Sequence, residues 1–232
     1  MFGLSISTLI TRAVVLLVAV VVHEFAHAWV AYLNGDSTAK DAGRMTLDPR
    51  ANVYWPGYII GVLVGFAILG SAPVNPYRMR SPRWGMFMAV LAGPVSNLVI
   101  AAVAAVPFLL GVLTPTSQTG PILPSLSYLM TEMVFLNVLL FIFNLLPLFP
   151  LDGWTVVLAA LPARPAAQWE RSRQTSMYVM YGLIALSFFG GSLVGSLPPA
   201  WRTPLVANLL NPLGYIVGEP TFAIVRFLLG LR

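Results

Sequence analysis

A chain of 232 residues that is 58% hydrophobic and 9% charged cannot keep its surface in water as a soluble domain. Its net charge of +5 is spread over short loops, with no basic run dense enough for nucleic acid, and the absence of cysteine excludes disulfides, thiolate metal sites and a cysteine nucleophile. The 48 residues from Trp84 to Thr131 contain no Lys, Arg, Asp or Glu, as expected for a polytopic membrane protein.

The first apolar stretch, Thr8 to Leu33, is long enough to cross a bilayer with tilt, at roughly 39 Å of helix. Only Arg12 interrupts its start and no basic leader flanks it, so it reads as a retained signal anchor. Within it stands His23-Glu24-Phe25-Ala26-His27, which holds the only two histidines of the chain. Positions i and i+4 share a helix face, so both imidazoles can grip one metal ion, and the glutamate beside the first can take a proton from water. Three ionisable groups in five residues of a membrane span cost several kcal/mol unless they are paired or functional.

Asn34-Gly35-Asp36 reads as a helix stop, and residues 37 to 54, polar and broken by Gly43 and Pro49, suit an irregular segment or a β-hairpin. Pro56 to Ala72 is apolar but short for a span, with Gly57, Gly61 and Gly65 at the spacing that lets membrane helices approach closely. Further spans are expected near Trp84 to Leu113, Leu126 to Phe149 and Met177 to Leu197. The last apolar piece, Leu205 to Leu229, is interrupted by Pro212 and Pro220 and is either a kinked span or an interfacial segment. Arg78, Arg80 and Arg83, and again Arg164, Arg171 and Arg173, place two loops in the cytoplasm by the positive-inside rule. Leu33 and Arg78 then lie on the same side, so Pro56 to Ala72 is not a lone full crossing. Either it is re-entrant, or residues 37 to 54 also enter the membrane. The expected fold is thus an all-α polytopic membrane protein of about 4–6 transmembrane helices, with a short irregular or hairpin segment after the first.

A catalytic zinc site takes three protein ligands and leaves one position open. With no third histidine, the candidates are carboxylates. Asp36, Asp41, Asp48 and Glu170 have basic neighbours and read as salt-bridged surface, Glu219 precedes Pro220 near a span end, and Glu132 suits the start of its helix. Asp152, directly after the run Met133 to Leu151 and at the expected depth of the histidines, remains.

Three motifs in order resemble the site-2 protease family of intramembrane zinc metalloproteases in its small bacterial form. They are His23-Glu24-Phe25-Ala26-His27, Gly93-Pro94-Val95-Ser96-Asn97, and Asn144-Leu145-Leu146-Pro147-Leu148-Phe149-Pro150-Leu151-Asp152-Gly153. Residues 43 to 49 and 73 to 76 resemble the small subgroup as well, and the similarity runs from about Ala19 to Leu158. The resemblance implies one zinc ion held by His23, His27 and Asp152, with Glu24 as general base. It implies substrate contacts from Asn144 and Asn97, although a structural bond between helices is the stronger reading for Asn97. The implied substrates are transmembrane proteins cut in or near their spans, in the cell membrane, with the active site towards the cytoplasm. The whole chain, 1–232, reads as a single membrane domain with a catalytic core of about 8–158 and C-terminal helices at about 176–230, without PDZ-like or nucleotide-sensing attachments. Trp154 departs from the small residue common after Asp-Gly and could narrow access to the metal or anchor at the membrane interface. The alternative is a non-catalytic protein of the same fold that binds metal or a client.

Overall fold

The computed structural model describes residues 5–64, 70, 72–120 and 122–231. Helix α1 (Ile6–Leu33) begins where the Ser5 hydroxyl accepts a hydrogen bond from the Thr8 N–H. Such a cap satisfies one of the four orphan donors of the first turn. The helix ends at Asn34-Gly35, with Gly35 at φ 106°, a left-handed conformation that an L side chain resists. Residues 37–54 are irregular, with two single-turn helices, α2 (Thr38–Asp41) and α3 (Pro49–Asn52), and no hairpin. One antiparallel bridge, Val53 to Gly70, is the only β pairing among the described residues.

Helix α4 (Trp55–Val64) has 10 residues, about 15 Å of rise, which is half of a bilayer core. It lies along α1, with the Tyr58 hydroxyl donating to the Ala13 carbonyl and Gly57 and Gly61 buried; Gly65 falls outside the described residues. The chain then returns to the end from which it left. The Arg80 N–H donates to the Asn34 carbonyl and the Asn75 N–H donates to Asp36, so both ends of the excursion are stitched together at the foot of α1. That removes the crossing problem: the described part of the excursion is a helix too short to cross.

Among the described residues, four helices are long and apolar enough to span: α1, α5 (Pro82–Leu109), α6 (Leu126–Asn144) and α9 (Arg173–Ser196). Between α6 and α9 lie α7 (Asp152–Ala160) and α8 (Ala163–Arg171), and after α9 come α10 (Pro204–Leu210), one wide turn at Gly214–Gly218, and α11 (Glu219–Leu228). Two boundaries differ from the sequence expectation. Helix α6 stops at Asn144, where Phe149 was expected, because two prolines in Pro147-Leu148-Phe149-Pro150 cannot donate to a helix ladder. Asp152 therefore opens a separate helix, and the Arg-bearing loop after it is largely helical.

Helix α5 is the central element, packed on α1, α6 and α7. Its buried residues are mostly small: Ala89 packs in one cluster with Ala31 of α1, Gly93 lies against the His23 and His27 rings, and Ala101, Ala104 and Ala105 face α6 and α11. Lipid chains are as apolar as leucine, so close backbone approach and van der Waals contact must hold such helices together. Phe108, Val134, Val138 and Val225 join α5, α6 and α11 in one cluster, while Phe143, Leu151, Met180 and Val217 seat the α6–α7 turn on α9 and the C-terminal segment.

Candidate active site

The stitching of α1, α5 and α7 brings three side chains from distant parts of the chain to one point. His23 and His27 stand on the face of α1 turned toward α5, with their rings edge to face at 4.6 Å between centroids. Asp152 arrives from the start of α7, its Oδ2 lying 3.0 Å from His23 Nε2 and 3.4 Å from His27 Nε2. Within the described residues, His23, His27 and Asp152 form the one group of three that could hold a metal ion, with ligand atoms within 4.8 Å of one another.

The hydrogen bonds behind the histidines decide which nitrogen faces this point. The His27 Nδ1 lies 2.8 Å from the Ala89 carbonyl, which can only accept, so that Nδ1 carries the proton. For His23 the polarity is set by the groups behind Asn97, whose Nδ2 also lies 3.4 Å from the Ala19 carbonyl. Asn137 Nδ2 donates to the Met133 carbonyl, which leaves Asn137 Oδ1 to accept from Asn97 Nδ2 at 2.9 Å. Asn97 then presents Oδ1 to His23 Nδ1 at 2.6 Å, and His23 must donate. Each neutral imidazole is left with a lone pair at Nε2, pointing at a carboxylate oxygen that has no hydrogen-bond partner of its own. Three acceptors facing one another within 3.0 to 3.4 Å repel unless a cation sits among them. Two neutral imidazoles plus one carboxylate is a donor set that suits zinc, with second nitrogens already held by carbonyl or amide oxygens.

Space is kept for that cation by glycine. A Cβ at Gly93 would run into ring atoms of both histidines. Pro94 beside it removes one helix N–H and loosens the local carbonyl ladder of α5, next to the Ala89 carbonyl that accepts from His27. A Cβ at Gly153 would meet the Leu145 and Leu146 carbonyls, so Gly153 lets the start of α7 press against the end of α6. The far end of α7 is clamped by Arg83, whose Nε donates to the Ala159 carbonyl at 2.7 Å and whose Nη2 donates to Ala160. A guanidinium there completes orphan carbonyls at a helix C-terminus.

Glu24 is buried beside the histidines, and its Oε2 has no hydrogen-bond partner among the described residues. Gly70 packs so tightly on its Oε1 and Cγ that a side chain there would collide. Asn97 is fully buried, with its Oδ1 on His23 and its Nδ2 on Asn137 Oδ1 and, at 3.4 Å, on the Ala19 carbonyl, so it stands behind His23. Asn144 is half-buried and gives one N–H back to the Leu140 carbonyl of its own helix.

Several expectations change. Asn137, fully buried, was missed by the sequence reading although an asparagine in an apolar helix always needs a partner. Asp36 is not salt-bridged surface: it is fully buried and accepts from the Thr38 N–H, the Thr38 hydroxyl and the Asn75 N–H. Burial works against its charge, but these bonds and the nearby Arg78 outweigh it and hold the carboxyl below its ordinary range. Asp41 pairs with Arg78 and Glu170 with Arg173 as expected, whereas Asp48 caps α3 through the Arg50 N–H. Trp154 does not face lipid. It is 1% exposed, stacked on Trp169 at 4.5 Å and edge-on to Phe149, and its carbonyl accepts from the Trp169 indole.

The model of peptidase family M50 matches residues 11–187. The chain is 36% identical over 166 residues to a Bacillus subtilis protein named "Putative zinc metalloprotease YwhC", covering 72% of this chain and 76% of that one. It is 31% identical over 148 residues to "Putative zinc metalloprotease Rip2" of Mycobacterium tuberculosis, spanning 61% of this chain and 53% of that longer protein. No solved structure matches the chain. A family match over most of the chain, on a bundle of apolar helices, leaves one assignment: this protein belongs to peptidase family M50, the site-2 proteases, and is a multi-pass membrane protein.

Proposed function

We propose that this chain is an intramembrane zinc metalloprotease that cuts membrane proteins in or near their transmembrane segments. In this reading His23, His27 and Asp152 hold one zinc ion and Glu24 is the general base. The observation that carries it is the meeting of two imidazole lone pairs and an unpartnered carboxylate oxygen beside the free Oε2 of Glu24, all inside an apolar helix. His27 and His23 lie six and ten residues before the end of α1, or about 9 to 15 Å along its axis, well within a bilayer.

Bound zinc supplies Lewis acidity, polarising a scissile carbonyl and making water a better nucleophile near neutral pH. Glu24 accepts the proton of the attacking water at Oε2 and passes it to the leaving amine. Asn97 and Asn137 keep His23 in the tautomer that turns Nε2 inward, and the Ala89 carbonyl does the same for His27. Asn144, at the end of α6 with an N–H to spare, is the residue we assign to the substrate backbone. A substrate helix must unwind to reach these groups, so glycine, proline or polar residues near the cut favour cleavage. The six arginines at 78, 80, 83, 164, 171 and 173 orient the site towards the cytoplasm in a cell membrane. We take 1–232 as one membrane domain, with the catalytic core at about 8–158 and C-terminal helices at about 176–230. A non-catalytic metal-holding role would leave the buried Glu24 without a purpose.

The test is metal content and cleavage of a transmembrane peptide by the purified protein. Wild type is expected to hold one zinc and to lose turnover to a chelator. His23→Ala, His27→Ala and Asp152→Ala should lose metal, while Glu24→Gln should keep metal and lose turnover. Zinc retained at wild-type affinity by Asp152→Ala would sink the third-ligand assignment, and full turnover by Glu24→Gln would sink the base. For orientation, single cysteines placed at Ser81 and Ser172 of this cysteine-free chain should label from the cytoplasm, and one at Ser117 from the other side.

A further inference from the structure

A second pair of ionisable groups lies inside the bundle, at the opposite end of α1 from Leu33. Arg12 of α1 and Glu132 of α6 both line a cavity of about 380 Å³, together with Thr8, Val64 and Tyr128. Each stands seven residues past its helix cap, Ser5 or Ser125, or about 10 Å along the helix. That depth is too great for Glu132 to serve the helix terminus, the role its sequence position suggested. Among the described residues neither side chain has a hydrogen bond or ion pair, although the Arg12 charge reaches Glu132. A cation and an anion within membrane spans, close but not joined, are costly unless something completes both.

Leu16, Leu136 and Leu139 wall it and also wall a second cavity of about 390 Å³, lined beyond them by Phe143, Ile184, Phe188 and Val217 with glycines at 61, 214 and 218. The two adjoin across these leucines, a crevice with opposite charges in one part and mostly apolar walls in the other. An acyl chain is far narrower than a peptide helix, which is about 10 Å across with its side chains, and it matches the mostly apolar lining. The separated charges call for a ligand that carries the reverse pair in one headgroup.

We propose that this crevice holds one zwitterionic phospholipid bearing a primary ammonium, with its phosphate on Arg12, its ammonium on Glu132 and an acyl chain behind Leu16, Leu136 and Leu139. Arginine suits phosphate through its forked donors, and a carboxylate accepts N–H bonds that a quaternary ammonium cannot offer. Pockets between spans that bind headgroups by such charges are a general means of lipid recognition.

Native mass spectrometry of the purified full chain, offered dioleoyl phosphatidylethanolamine, phosphatidylcholine or phosphatidylglycerol, tests this. Wild type should retain one phosphatidylethanolamine, and hold the other two about tenfold less, the loss of one hydrogen bond to a charged group. Glu132→Gln should erase that preference, Arg12→Gln should weaken all three lipids, and Leu139→Trp should block the tail chamber and release lipid with the charges intact. Circular dichroism and thermal melting of the same samples report whether each variant is folded, and Leu139→Trp serves should a charge variant fail that check. No retained lipid, equal retention of the three, or an unchanged preference in Glu132→Gln would overturn the proposal. Displacement of the bound lipid by an equimolar transmembrane peptide would also overturn it, and would give the crevice to a peptide. The proposal stands apart from the protease reading, since zinc binding and cleavage by wild type are measured separately.

Discussion

The Asn97 side chain of α5 accepts a hydrogen bond from His23 Nδ1 at 2.6 Å, joining two helices across 74 residues of sequence. Asn97 Nδ2 is held in turn by Asn137 of α6 and by the Ala19 carbonyl of α1, which turns Oδ1 toward His23 and so sets the tautomer of that histidine. A histidine fixed in this way offers the correct nitrogen without waiting for a ring flip or a proton shift.

Asn97→Leu should therefore lower metal affinity or turnover by about 10- to 100-fold, the usual cost of losing such a partner. Asn137→Leu should act in the same direction but less strongly, because Asn97 Nδ2 keeps the Ala19 carbonyl as an acceptor and its Oδ1 still faces His23. The readout is zinc affinity together with kcat and KM on one peptide substrate. A fall in KM-independent turnover and zinc affinity marks a positioning role, whereas loss of thermal stability at unchanged zinc affinity would mark mere packing.

Gly93→Ala should displace both imidazoles, since the added methyl has no room between the α5 backbone and the two rings. The variant should insert and fold, because alanine is at home in an apolar helix, but bind zinc weakly. Isothermal titration with zinc decides it, and unchanged affinity would show that α5 can retreat from α1.

Asp36→Asn should loosen the junction between the end of α1 and the start of α5. Its carboxylate accepts three hydrogen bonds, and each bond to a charged group is worth about 1.5–3 kcal/mol before compensation. The folded carboxyl sits below its ordinary value, so the stabilisation is fully present above about pH 3.9, the unfolded value, and is lost as pH falls through the folded one. Melting curves in detergent from pH 7 down to pH 3 should show wild type converging on Asp36→Asn at the acid end. Parallel curves across that range would contradict the assignment.

Trp154→Ala should destabilise the protein by about 3–5 kcal/mol, as expected for emptying a buried indole site. Stacked on Trp169 and edge-on to Phe149, Trp154 ties α7 to α8, and α7 carries Asp152. Cleavage should fall for every substrate together at elevated temperature. A stable variant that cleaves a broader set of peptides would restore the idea of a gate.

Much of this protein was legible in one dimension because the bilayer restricts the choices. A span must be a helix of about 20 apolar residues, so α1, α5, α6 and α9 announced themselves by length and hydropathy. His23, Glu24 and His27 were legible because the i, i+4 period alone puts two imidazoles on one face, and Asp152 because few carboxylates lay at the right depth. What the sequence could not decide were relationships between elements. Whether Pro56 to Ala72 crosses depended on hydrogen bonds from Asn34 and Asp36 to residues about 40 positions away. The assignment of Asn97 to His23, the recruitment of Asn137 and the burial of Trp154 each depend on which face of one helix meets which face of another. In an apolar helix nearly every face looks alike to hydropathy, so that choice is made only by packing, where a glycine admits a neighbour and a buried polar atom must find its partner.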